Sequence, residues 1–234
     1  MGCNALIAGG TGEVGKRITQ LLTSDSGVNQ VTSLVRRPHP NPSQPKLNYL
    51  QVDFDTLQAL PNEISPDIFI CCLGTTIKIA GTPEAFIKVD HEYAVTSAKA
   101  AIKNGAKTCI MISSVGANPT SNNLYLRTKG ITEKDIENLT GFECIHILRP
   151  SLLRGPRAEF RLGERLGALA SLAINPFLVG PLAKYKSIHM NTVAKAIASL
   201  TLNPASRNRV TIHQGNDLIT LSNQHDSGNH LNSI

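Results

Sequence analysis

Apolar residues in this chain fall into two patterns. Short, β-branched runs at Ala5–Gly9, Val31–Val35, Tyr49–Val52, Ile68–Leu73, Thr108–Ser113 and Cys144–Leu148 are predicted to be strands. Between them, at Gly12–Thr23, Glu84–Asn104 and Leu124–Leu139, apolar positions recur every three or four residues, as in helices that bury one face. A shorter helix is predicted near Thr56–Leu60. The fourth and fifth runs are continuously apolar rather than alternating, which predicts strands covered on both faces. Strand and helix therefore alternate in the manner of an α/β fold with a doubly wound parallel sheet.

The alternation stops after Pro150. Helical patterns at Arg157–Ala173 and Asn191–Leu202 and a short strand at Val210–His213 form a small C-terminal substrate-side segment, residues 151–221, placed over the carboxyl ends of the strands. Residues 1–221 are expected to form a single domain, and 222–234 a polar, frayed tail. The proline-rich run His39–Pro45 must be a loop.

Composition narrows the classes. An apolar fraction of 41% with 17% charged residues excludes a disordered chain. No run reaches the length a membrane helix needs, and the best, Leu166–Leu182, is broken by Asn175, Pro176 and Pro181. The five cysteines lie in or beside strand-like runs without metal-ligand spacing, so no metal site is expected. Reduced buried thiols, with no cationic secretory leader, lead to the expectation of a cytoplasmic protein. The net charge of +6 is uneven: residues 1–149 hold 14 Lys+Arg against 13 Asp+Glu, residues 150–234 hold 9 against 4. With no Trp and few other aromatics, and no nucleic-acid motif, this basic third suits a phosphate-bearing small ligand rather than a nucleic acid.

The turn between the first strand and first helix reads Gly9-Gly10-Thr11-Gly12-Glu13-Val14-Gly15. Glycines at 9, 12 and 15 let the chain turn tightly and its backbone approach a pyrophosphate, which the free N–H groups of the helix N-terminus then hold. This is the signature of a Rossmann-type dinucleotide site. The next strand ends in Arg36-Arg37, where an NAD site would carry an acid for the ribose 2′-hydroxyl. Two guanidiniums suit the 2′-phosphate of NADP(H) instead. Asp53 sits where a carboxylate can meet the adenine edge or cap a turn, and Gly74, after Cys72-Leu73, permits close passage of backbone and cofactor.

The fifth strand ends in Ser113-Ser114, and Tyr125 and Lys129 follow on one helical face at i and i+4. A lysine beside a tyrosine favours the phenolate, making Tyr125 a usable acid/base. Ser114, or its neighbour Ser113, can orient a carbonyl oxygen. Further on, Arg157, Arg161 and Arg165 would share a helical face, either as a solvated stripe or toward an anion.

At these residues the chain resembles the short-chain dehydrogenase/reductase superfamily of the atypical or extended type, and more narrowly the Tat-interacting oxidoreductase family. The shared features are the glycine loop, Arg36-Arg37, Cys71-Cys72-Leu73-Gly74-Thr75-Thr76, Val89-Asp90, Ser113-Ser114, Leu124-Tyr125-Leu126, Lys129-Gly130 and Arg149-Pro150. The resemblance implies Tyr125 as proton donor, Lys129 as its partner, and cofactor contacts at Thr11, Gly12, Glu13, Val14, Arg36, Arg37, Leu73, Gly74, Leu153 and Arg161. The expected function is NADPH-dependent reduction of a small carbonyl substrate, anionic if the basic stripe serves it. The alternatives are a regulatory NADPH-binding protein acting through a protein partner, and a sugar-nucleotide epimerase or dehydratase.

Overall fold

A computed structural model describes residues 2–40, 43–155, 185–204 and 206–231. Ten strands are described: β1 Cys3–Ala8, β2 Val28–Val35, β3 Ser43–Gln44, β4 Leu47–Gln51, β5 Ile68–Cys71, β6 Thr108–Ile112, β7 Cys144–Arg149, β8 Leu153–Arg154, β9 Ile188–His189 and β10 Val210–Gln214. The helices are α1 Glu13–Ser24, α2 Ile77–Ala80, α3 Pro83–Ile87, α4 Tyr93–Lys103, α5 Leu124–Asn138, α6 Met190–Leu202 and α7 Asn216–Leu231. A single π turn, Lys88–Glu92, joins α3 to α4.

Eight strands form one sheet in the order β10-β7-β6-β5-β1-β2-β4-β3, in which β3 alone pairs antiparallel. The doubly wound Rossmann-type fold expected from the sequence is the fold observed. Chain order reverses direction between β1 and β5, so the crevice at their carboxyl ends is the topological switch point where such sheets bind ligands.

The continuously apolar strands feed two cores. Ala5, Ile7, Ile68, Ile70 and Ile110 face α1 and α6, whereas Leu6, Ala8, Phe69, Cys71, Cys109 and Met111 face α4 and α5. Each fully buried Leu, Ile or Phe contributes roughly 1.5–3 kcal/mol, and alternate residues of one strand serve opposite cores. Cys71 and Cys72 accordingly point to opposite faces. All five cysteines are free, and burial pushes Cys71 up to about 11 and Cys72 upward as well.

Several local expectations are corrected. The helix read continuously from Glu84 to Asn104 is interrupted by the π turn, and residues 56–60 are not helical. The polar run from Ser222, expected to fray, is helical to Leu231. Ser222 and His225 are buried, and Asp226 is paired with Lys195 of α6 at 2.8 Å. Its apolar anchor, Leu218, lies upstream, so the polar run is held by docking on α6 rather than by an amphipathic pattern of its own. The predicted helix Arg157–Ala173 lies outside the described residues.

The edge of the sheet is fastened by polar contacts. Arg209 donates to the carbonyls of Glu137, Leu139 and Phe142 at 2.6–3.1 Å, supplying partners at the C-terminal end of α5. On β7, His146 Nε2 meets the Pro204 carbonyl at 2.9 Å, which requires the Nε2–H tautomer. Its Nδ1 must then accept from His213 Nε2–H of β10 at 3.0 Å. Burial pushes His146 down, and burial followed by the neighbouring His146 pushes His213 down to about 4.

Both imidazoles are therefore neutral in the folded chain at pH values where the unfolded chain, near 6.5, already takes up protons. Stability from this pair is full above about pH 6.5 and is lost as pH falls toward 4. The urea midpoint should decline over that window. His213→Gln should make the decline shallower, and an unchanged slope would remove this pair as its source.

Candidate functional site

The glycine loop stands at the switch point, and its glycines do different work. Gly9 has φ +88°, and a Cβ there would lie 2.7 Å from the Cys72 carbonyl carbon. A Cβ on Gly10 would strike the Ser33 hydroxyl, and one on Gly15 the Gly9 carbonyl. These three positions are set by the protein's own packing. Gly12 is different: its nearest neighbour, the Gly9 oxygen, would be 3.4 Å from a Cβ. It is the N-cap of α1, and no side chain caps the helix there. The N-terminal N–H groups thus face a ledge that packing leaves open, the geometry that receives an anion. Thr11 is exposed and Val14 is half-buried against the core, while Glu13 pairs with Arg17 at 3.1 Å. Arg17 in turn donates to Asn191 on α6 at 2.9 Å, bracing the start of α1.

Arg36 and Arg37 leave the end of β2 exposed, and among the described residues neither is paired with a carboxylate. An open pocket of about 430 Å³ adjoins Arg36, walled by Val52, Asp53, Phe54, Asp55 and Tyr93. Asp53 accepts from the Asp55 N–H at 3.0 Å and the Thr56 hydroxyl at 3.1 Å, so its carboxylate is engaged in a turn while lining this pocket. Tyr93 donates to Asp55 at 3.2 Å, and Lys88 pairs with the same carboxylate at 2.7 Å.

On the other side of the switch point, α5 carries Tyr125 and Lys129. Asn123 caps it, accepting from the Leu126 N–H at 3.1 Å. A Cβ on Gly130 would collide with the Asn118–Pro119 backbone, so glycine is what lets this helix lie against the loop that follows Ser113-Ser114. Glu133, one turn beyond Lys129, is gripped by Arg149 through two hydrogen bonds of 2.9 and 2.5 Å, fixing α5 to β7. Tyr125 packs against the buried Phe86 with ring centroids 5.9 Å apart. The Ser114 hydroxyl donates to the Val115 carbonyl at 3.3 Å, whereas the Ser113 hydroxyl is buried without a hydrogen-bond partner among the described residues.

Lys129 has a partner that the sequence motif does not contain. Its ammonium lies 2.8 Å from Asp90 Oδ1, with side-chain exposures of 6% and 0%. Burial lowers the lysine's pKa, but the Asp90 carboxylate and then Tyr125 outweigh it, leaving Lys129 above its ordinary value. Asp90 Oδ2 accepts from the Thr75 N–H at 2.8 Å, and the Thr132 hydroxyl donates to the Asp90 carbonyl at 3.1 Å. A carboxylate on the buried face of a helix that also buries Phe86, Ala94 and Ala98 is the signal that could have exposed this role. Leu153 sits in β8, half-buried against the core, and Arg161 lies outside the described residues.

A glycine loop at a switch point, with exposed arginines after β2 and a buried lysine across the crevice, defines a nucleotide-cofactor protein of the Rossmann class. Residues 9–204 match the NAD(P)H-binding family model. The chain is 34% identical to the Candida albicans "Protein FMP52, mitochondrial" over 94% of this chain and 98% of that protein. It is 30% identical to rat "Protein HTATIP2" over 92% and 90%. The structure of a human epimerase family protein, SDR39U1, with NADPH has a TM-score of 0.62 at 19% identity, covering 90% of this chain and 74% of that one. The chain belongs to the NAD(P)H-binding family, and it shares its fold with the epimerase-family structure.

The cytoplasmic expectation is overturned by these relatives, several of which are named mitochondrial. Cysteine usage reports redox conditions, and it does not separate one reducing compartment from another. No helix of the described residues is long and apolar enough to cross a membrane.

The glycine geometry separates folding from binding. Gly15→Ala should destabilise the chain by about 1–3 kcal/mol through the forced clash with Gly9. Gly12→Val should leave thermal unfolding nearly unchanged while weakening NADPH at least tenfold, about 1.4 kcal/mol. Equal NADPH affinity in a folded Gly12→Val chain would mean that the ledge is not the pyrophosphate site.

Proposed function

We propose that this protein is an NADPH-dependent reductase of a carbonyl compound, with Tyr125 as proton donor and Lys129 and Ser114 as its partners. The observation that carries this reading is the buried, charged Lys129 one helical turn from Tyr125, at the end of the crevice that the glycine loop opens. The residues fit the cofactor. Gly12 and the N-terminus of α1 would hold the pyrophosphate, Leu73 and Gly74 would line the ribose wall, and Asp53 the adenine pocket. When bound, the reduced nicotinamide supplies a hydride to the carbonyl carbon.

The chain's residues supply the rest. Tyr125 gives its phenolic proton to the carbonyl oxygen, and the ammonium of Lys129 favours the phenolate that remains. The Ser114 hydroxyl, turned from its weak contact with Val115, can orient that oxygen, and the buried Ser113 hydroxyl is the other candidate. Arg36 and Arg37 select the 2′-phosphate, since two exposed guanidiniums favour a dianion that NADH lacks. The names of the FMP52 relatives support a mitochondrial location.

NADPH should bind at least tenfold tighter than NADH, and Arg36→Ala with Arg37→Ala should abolish most of that difference. In an NADPH-oxidation screen over aldehydes and ketones, Tyr125→Phe should retain binding and lose about a hundredfold in turnover. Tight NADPH binding with no tyrosine-dependent turnover on any carbonyl would sink the reductase and favour a regulatory protein that reports the cofactor to a partner.

A further inference from the structure

We propose that Asp90 is a positioning residue of this site: its carboxylate keeps Lys129 charged and fixed behind Gly74, and couples the ammonium to the backbone of the cofactor wall. Two separate pieces of chain, the loop after β5 and α5, converge on Asp90 through three contacts. The Thr75 N–H, from the loop after β5, donates to Oδ2 at 2.8 Å. Lys129, from α5, lies 2.8 Å from Oδ1, which has no other partner among the described residues. The Thr132 hydroxyl, one turn further along α5, shares its single proton between the Thr128 carbonyl at 2.8 Å and the Asp90 main-chain carbonyl at 3.1 Å. The π turn at Lys88–Glu92 holds the residue that receives them. Such one-turn bulges break the helical hydrogen-bond ladder and occur often at functional sites.

An ammonium buried this deeply sheds its proton unless a negative charge answers it. The groups that bear on Lys129 are Asp90, Tyr125 and Cys71. Cys71 is neutral through the physiological range, because burial pushes it up to about 11. Glu133, one turn away, is committed to Arg149. Asp90 is therefore the carboxylate that keeps the lysine protonated. The pair is also reachable: a Cβ on Gly74 would stand 3.6 Å from both Asp90 Oδ1 and Lys129 Nζ, so the missing side chain leaves the charge directly behind the cofactor wall. The effect on turnover rests on the reductase reading, but the charge of Lys129 does not, and it is measured apart from activity.

The test follows the ε-carbon of Lys129 by NMR in the full-length chain labelled with carbon-13 lysine, the signal being assigned by its loss in Lys129→Met. In the natural chain Lys129 should titrate above the ordinary lysine value. In Asp90→Asn its midpoint should fall by at least one pH unit, a tenfold loss of proton affinity, and Asp90→Glu should restore a high midpoint. An unchanged midpoint in Asp90→Asn would overturn the proposal. If Asp90→Asn does not fold, the double variant Asp90→Asn/Lys129→Met decides. With the uncompensated charge removed, it should fold and unfold cooperatively; failure of both variants alike would show that Asp90 acts through something other than Lys129, and the proposal would fall. Should the reductase reading fail while the Lys129 midpoint moves as expected, the positioning role stands without the chemistry.

Discussion

A buried ion pair, Lys129 with Asp90, is the constraint around which the two halves of the crevice are arranged. Two charges this far from water are costly, and removing either partner from such a pair destabilises by roughly 3–5 kcal/mol. The fold meets that cost by giving the remaining atoms partners: the Thr75 N–H on the carboxylate, and the Thr132 hydroxyl on the backbone that carries it. The same contacts lock the loop after β5, the π turn and α5 in one register. Tyr125 sits one turn from the pair, and Gly74 stands in front of it.

The opposite wall is built from exclusion of side chains rather than from charge. Gly9, Gly10 and Gly15 are required because β1, β2, β5 and α1 approach so closely at the switch point that any Cβ would meet a neighbour. This packing brings the α1 N-terminus to the crevice while leaving Gly12 uncovered. One wall therefore offers backbone N–H groups and, at the end of β2, two exposed guanidiniums. The other offers a tyrosine, a lysine and two serines. An anionic dinucleotide with a reactive end matches both.

Much of this was legible in the sequence because it depends on local rules. Continuous apolar runs and the glycine loop mark the strands and the first turn, and the three- to four-residue spacing from Leu124 marks α5. What escaped depends on contacts between distant segments. Asp90 lies in a helical pattern that gives no hint of a π turn, and its partners are 15 and 39 residues away in sequence. The docking of α7 escaped for the same reason: its polar run is held by Lys195 and by burial of Ser222 and His225, not by a periodic apolar stripe. Gly130 reads as a helix breaker in isolation, and only its contact with the Asn118–Pro119 backbone explains it. The cellular compartment was misjudged because cysteine usage reports redox conditions rather than an address.

On this reading one cofactor molecule spans both walls, with its reactive end against Lys129 and Tyr125. A crystal structure of the full chain soaked or grown with NADPH tests it most directly. The pyrophosphate should lie on the ledge at Gly12, the 2′-phosphate against Arg36 and Arg37, and the nicotinamide ribose within hydrogen-bonding distance of Lys129. An ordered cofactor whose nicotinamide end lies away from Lys129 and Tyr125 would contradict it.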